Sequence, residues 1–265
     1  MNRTLSTTLS GLMLAAALPA FAQDGQMGGA GRYPTRYADR PLNLPAMTLR
    51  ANLDLSIQNN SISLGGFGGG SQLGVGLIGG ASFGITDQIE VGATFLPLSL
   101  SPSAAYGDIP LYGQFGITKD LALRLTLNLP ASTVFGLSIG GTYAIRADAL
   151  RVDVGAAFAI RAFDPFSYGL QIPVIASYNV MPNLYVSLET GLNTTKFDLI
   201  GIPLVFGGYY TIEKGGQPML DLGASFGWRG LAGGGGFLNF GDAAGDAVDA
   251  KNFSLLVGGK FYLFL

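Results

Sequence analysis

Nine charged side chains carry most of the chemical potential of this sequence: Arg50, Asp54, Glu90, Arg124, Arg151, Asp153, Glu189, Asp221 and Lys260. Carboxylates among cations can move protons, pair as ions, or sort charged solutes by field. Histidine and cysteine are both absent from the 265 residues. That closes Ser-His and Cys-His nucleophile chemistry, disulfide formation and thiolate metal sites. Paired carboxylates remain possible in principle as an acid–base route, and interspersed basic residues make charge pairing the simpler use of them. Gly74-x-Gly76-x-x-Gly79 matches a dinucleotide fingerprint by letter, but that fingerprint must leave a strand and open a helix. Here the glycines fall inside an alternating run, where glycine lets a strand bend or a neighbour approach. Asp242, Asp246 and Asp249 are oxygen ligands without EF-hand spacing, so a solvated loop is expected there and no metal. The sequons at Asn59 and Asn193 sit in runs of polar residues and specify no chemistry. No cofactor is implied.

The elements that must position the nine charges are strands. Leu49, Ala51, Leu53, Leu55 and Ile57 alternate with Arg50, Asn52, Asp54, Ser56 and Gln58, which is the period of two of a strand with one apolar face. Leu121 to Pro130 and Leu150 to Arg161 repeat the pattern. Comparable runs at 72–85, 89–100, 108–117, 135–145, 168–180, 184–193, 198–212, 218–228 and 252–265 bring the total to about twelve strands, each long enough to cross a bilayer at a tilt of about 45°. All nine charges fall on the polar face, close to one set of strand ends. Above them the same face carries Ile78, Leu96, Leu98, Ala157, Ala159, Ile175, Pro203, Val205 and Leu256. Asn59 to Ser71 and Arg229 to Lys251 are expected as long glycine-rich loops, and Ala131 to Val134 as a short one.

The chain opens like a secretory signal: Arg3, the apolar stretch Leu9 to Leu18, then Ala20-Phe21-Ala22, so 1–22 is expected to be removed. Residues 23–46 form an expected periplasmic lead-in, flexible from Gln23 to Arg40 and stiff through Pro41 to Pro45, because proline fixes φ. Residues 47–265 are the expected barrel. The hydrophobic fraction is 48% and only 12% of residues are charged, with a mean hydropathy of +0.39. Apolar residues this abundant, cut into short alternating pieces, suit a wall between lipid and lumen. A net charge of −2 gives no attraction to nucleic acid.

One motif recurs at strand ends. Phe83-Gly84-Ile85, Phe115-Gly116-Ile117, Tyr143-Ala144-Ile145, Tyr178-Asn179-Val180 and Tyr210-Thr211-Ile212 each precede a short turn, and Phe261-Tyr262-Leu263 lies near the end of the chain. An aromatic at one height on alternate strands is what a membrane-interface girdle requires. Trp228, with Phe135, Phe158 and Phe253, falls at the opposite ends. In these features the chain resembles the bacterial outer-membrane β-barrel proteins of the porin-like, non-enzymatic kind. The resemblance implies an all-β, transmembrane antiparallel up-and-down barrel in outer-membrane lipid with periplasmic termini. It also implies that Gly259 to Leu265 is read by the assembly machinery, although Leu265 stands where a terminal aromatic is usual. Three roles stay open: a passive channel for small solutes with a charged constriction, a structural or surface-interaction barrel with a filled lumen, and a carrier of small hydrophobic ligands.

Overall fold

The computed structural model describes residues 33–64, 67–129, 135–162, 166–197, 199–232 and 253–265. The expected signal segment 1–22 and the start of the lead-in lie outside them, as do the segment 131–134 and most of the loop from 229 to 251. The strands are β1 (Thr48–Leu64), β2 (Phe67–Gly84), β3 (Ile89–Ser101), β4 (Ala105–Tyr106), β5 (Ile109–Thr118), β6 (Leu121–Leu129), β7 (Phe135–Ala147), β8 (Leu150–Ala162), β9 (Ser167–Met181), β10 (Leu184–Thr195), β11 (Leu199–Lys214), β12 (Gln217–Ala232) and β13 (Phe253–Phe264). All pairings are antiparallel, and β1 pairs with both β2 and β13. The result is a closed 12-stranded barrel, with β4 as a short extra strand beside β3. Closure leaves no sheet edge unpaired, which a lipid environment demands.

The turns at one end are short. Lys214 pairs with Gln217, and the two residues between them, Gly215 and Gly216, have φ of 65° and 77°. Two successive positive φ values match the right-handed strand twist, and glycine takes them without steric cost. Asp148 has φ 49° in the equally tight turn between β7 and β8.

The wall is inverted relative to a water-soluble protein. Ser56, Ser82, Gln114, Asn128, Ser138, Ser177 and Ser225 are buried inside, while Leu53, Phe95 and Ile139 are 55%, 53% and 62% exposed on the outside. Alternation places every second side chain on each face, so the sequence pattern maps directly onto the two surfaces.

Two expectations change. The predicted loop from Asn59 to Ser71 is largely strand, since β1 and β2 keep pairing as far as Leu64 and Phe67. In β3, Thr94 pairs with Gly80 and Leu96 with Gly79, which leaves Phe95 as an extra residue in a bulge. One added residue reverses the facing of everything beyond it. Leu96 and Leu98 therefore face outward with Leu53 and Leu55, not into the lumen. A Cβ on Gly79 would stand 3.1 Å from the Leu96 Cβ and 3.5 Å from the Leu53 Cδ1, so those side chains meet on the outer surface.

Candidate functional site

The lumen at the short-turn end holds the chain's own residues 33–46. Tyr33, Ala38, Arg40, Asn43 and Leu44 are buried, so this part of the expected flexible lead-in is packed inside the barrel mouth. Proline at positions 34, 41 and 45 removes backbone donors that a barrel interior would have to satisfy. A single turn of 3-10 helix, Tyr37–Asp39, then presents Arg40 inward.

Arg40 is the anchor. Its Nη1 donates to Asp221 Oδ2 at 2.6 Å and its Nη2 to Asp221 Oδ1 at 3.1 Å. Further donations reach Thr211 Oγ1 at 3.1 Å and the Tyr262 hydroxyl at 3.2 Å. The rings of Tyr33, Tyr37 and Tyr262 surround the guanidinium at 5.5, 5.7 and 5.5 Å. Its nitrogens also close onto the lead-in's own Pro34 and Thr35 carbonyls. Both charges have almost no exposed surface, at 2% and 1%. A pair this deep repays its desolvation only with near-complete hydrogen bonding, and these contacts provide it.

The rest of the segment is tied around the circumference. The Arg40 carbonyl accepts from Arg146 Nη2 and Arg151 Nη1, both at 2.7 Å. Leu44 N donates to Glu90 Oε2 at 2.8 Å and Ala38 N to Asn179 Oδ1 at 2.9 Å. Gln114 Nε2 donates to the Leu42 carbonyl and Asn43 Oδ1, and Asn43 Nδ2 to the Gln88 carbonyl. Tyr37 stacks on Tyr185 with centroids 4.3 Å apart, and Tyr185 stacks on Tyr209 at 5.0 Å. At the outer rim Arg36 donates to Asp148 at 2.8 Å, a hydrogen bond that holds the Asp148 carboxyl below the usual aspartate range. Tyr33, Leu44 and Tyr262, with Phe264, form an apolar cluster where the lead-in crosses the last strand.

All nine charged residues singled out from the sequence lie on the inward face, and they divide into groups. Arg50 pairs with Glu90 at 3.0 Å and Arg151 with Asp153 at 2.7 Å. Asp221 is engaged by Arg40, a partner from outside the nine. Arg124 lies over the Tyr112 ring at 4.3 Å, and Lys260 stands over Tyr209 at 5.7 Å. Asp54 accepts a 3.4 Å hydrogen bond from Asn52. Glu189 faces inward in register with Ile175 and Val205. Sequence reasoning missed Arg40 and the inward tyrosines 112, 185, 209 and 262. A signal existed: from Arg32 onward glycine gives way to Tyr, Arg and Pro, a composition that suits packing and not a free tail.

No family model and no curated protein matches the chain. Among solved structures, the crystal structure of an outer-membrane channel from Pseudomonas putida F1 superposes with a TM-score of 0.57 at 13% identity, covering 83% of this chain and 97% of that one. The fold is that of an outer-membrane β-barrel. A bacterial polysaccharide outer-membrane secretin also aligns, with a TM-score of 0.43 at 10% identity over 82% of this chain and 98% of that one. The outer-membrane channel DcaP of Acinetobacter baumannii aligns with a TM-score of 0.36 at 8% identity, over 82% of this chain and 95% of that one.

On the outside of this outer-membrane barrel, the aromatics of the repeated motif stand in one row near the short turns. Phe83 is in register with Leu49 and Val91, Phe115 with Ile89 and Leu123, and Tyr143 with Leu121 and Val154. Tyr178, Tyr210 and Phe261 continue it, each close to half exposed. At the far end Trp228 meets Phe253 edge-on at 5.9 Å. There Tyr168 gathers Phe158, Phe166 and Phe197 around it, a cluster the strand-end motif did not single out in full.

Proposed function

We propose that this chain is a non-enzymatic channel of the bacterial outer membrane that passes small solutes. The short turns, both termini and residues 33–46 face the periplasm, and the loops face outward. The observation that carries this reading is the polar lumen inside an apolar wall, in which the inward-facing Arg124 keeps an exposed side chain above the lead-in. The charged belt and the lead-in together form the constriction, which sorts solutes by size and weakly by charge. Phe83, Phe115, Tyr143, Tyr178, Tyr210 and Phe261 anchor the periplasmic interface, and Trp228 the outer one. The last strand serves as the signal for the insertion machinery.

The buried Arg40–Asp221 grip favours a second reading, a structural barrel whose lumen is filled. Planar-bilayer recording separates the two. Discrete openings from the full folded chain support the channel, and deletion of residues 33–45 is expected to raise the conductance. A correctly folded barrel that stays silent in both forms would overturn the channel.

A further inference from the structure

We infer that Arg124 is the lumen's contact for a small organic carboxylate, which makes such carboxylates the solute class of the channel; only their passage rests on the channel reading. Among the described side chains, three other arginines that face the lumen interior each have an acid. Arg40 holds Asp221, Arg50 holds Glu90 and Arg151 holds Asp153. Arg124 has none among the described residues, yet its position is fixed twice. Its guanidinium lies over the Tyr112 ring at 4.3 Å, and its Nε donates to Gln114 Oε1 at 2.8 Å.

Both supports are themselves immobilised. The Tyr112 hydroxyl donates to Glu90 Oε1 at 2.6 Å and lies 2.7 Å from Ser82 Oγ. Gln114 Nε2 donates to the Leu42 carbonyl at 2.9 Å and to Asn43 Oδ1 at 2.8 Å. One face and one edge of the guanidinium are therefore occupied, and among the described residues the fork of its two terminal nitrogens meets no acceptor. That fork matches a carboxylate with two parallel hydrogen bonds. Ordering a free arginine side chain costs conformational entropy, and here the fold has already ordered it.

On the side of Arg124 away from Gln114, the described inward neighbours in register are small and carry no acid. Arg124 is in register with Gly140, and Gly140 with Ala157. A Cβ on Gly140 would stand 2.6 Å from the Ala157 Cβ, so glycine is what this approach permits. The next inward row is Thr126, Ser138 and Ala159.

The test is calorimetric titration of the detergent-solubilised full chain with sodium benzoate and, separately, with its neutral amide, benzamide. Saturable binding of benzoate with no matching binding of benzamide is expected. A charge-assisted hydrogen bond contributes about 1.5–3 kcal/mol, so Arg124→Gln is expected to weaken benzoate binding about tenfold or more. Arg124→Lys, which keeps the charge and loses the fork, is expected to fall between. Equal binding of the two probes, or a folded Arg124→Gln chain that binds benzoate unchanged, overturns the assignment. The contrast between probes on the unaltered chain needs no variant to fold. Silent bilayers alongside selective benzoate binding would remove the channel and leave the site, whereas openings without such binding would do the reverse.

Discussion

Removing the carboxylate of Asp221 leaves the Arg40 guanidinium buried without its anion. Breaking one partner of a buried ion pair costs about 3–5 kcal/mol, and here the loss falls on the seating of the lead-in. The barrel wall has its own ladder of backbone hydrogen bonds. Asp221→Asn is therefore expected to leave the barrel folded while trypsin cleaves after Arg36, ahead of Tyr37, much faster than in the unaltered chain. Equal cleavage of the two would show that the segment is held by its other contacts alone. Lys260 faces Asp221 across β12 and β13, so a paired Lys260→Gln chain checks that the effect is specific to Arg40.

At the scale of elements, the lead-in can cross the mouth only because Gly84 is a glycine. A Cβ there would stand 2.0 Å from the Pro45 carbonyl oxygen and 2.9 Å from that of Leu44. Gly84 also accepts the Met47 N–H at 2.8 Å, where the chain reverses into β1 with Met47 at φ 57°. Gly84→Ala is expected to dislodge residues 43–47 and speed amide exchange at Leu44 and Met47, with strand content by circular dichroism unchanged. No change in exchange would mean that the backbone shifts to admit a methyl group. The bulge at Phe95 belongs to this scale too. One inserted residue sends Leu96 and Leu98 to the lipid side, and the alternation of β3 alone gives no sign of where it falls.

For the whole molecule, the outward belt decides the solvent. Leucine, phenylalanine and isoleucine a third or more exposed recur on strands all around the barrel, an apolar area far beyond the patches that soluble proteins carry. The folded chain is expected to need detergent or lipid, and to migrate faster on an SDS gel unheated than boiled. A monomer that stays folded in plain buffer would remove the membrane reading together with the channel. The lead-in also bears on the molecule as a whole, because it joins strands across the mouth that are not sheet neighbours, among them β3, β8 and β12.

The strands, their number and their two faces were legible in the sequence. They follow from a period of two, which is a local property of the chain. Which charges pair, where β3 slips by one residue, and what fills the mouth were decided only by closure. Arg40 and Asp221 are 181 residues apart, and no local pattern links them. They meet because a closed barrel brings its first and last strands together and turns the segment before β1 into its own lumen.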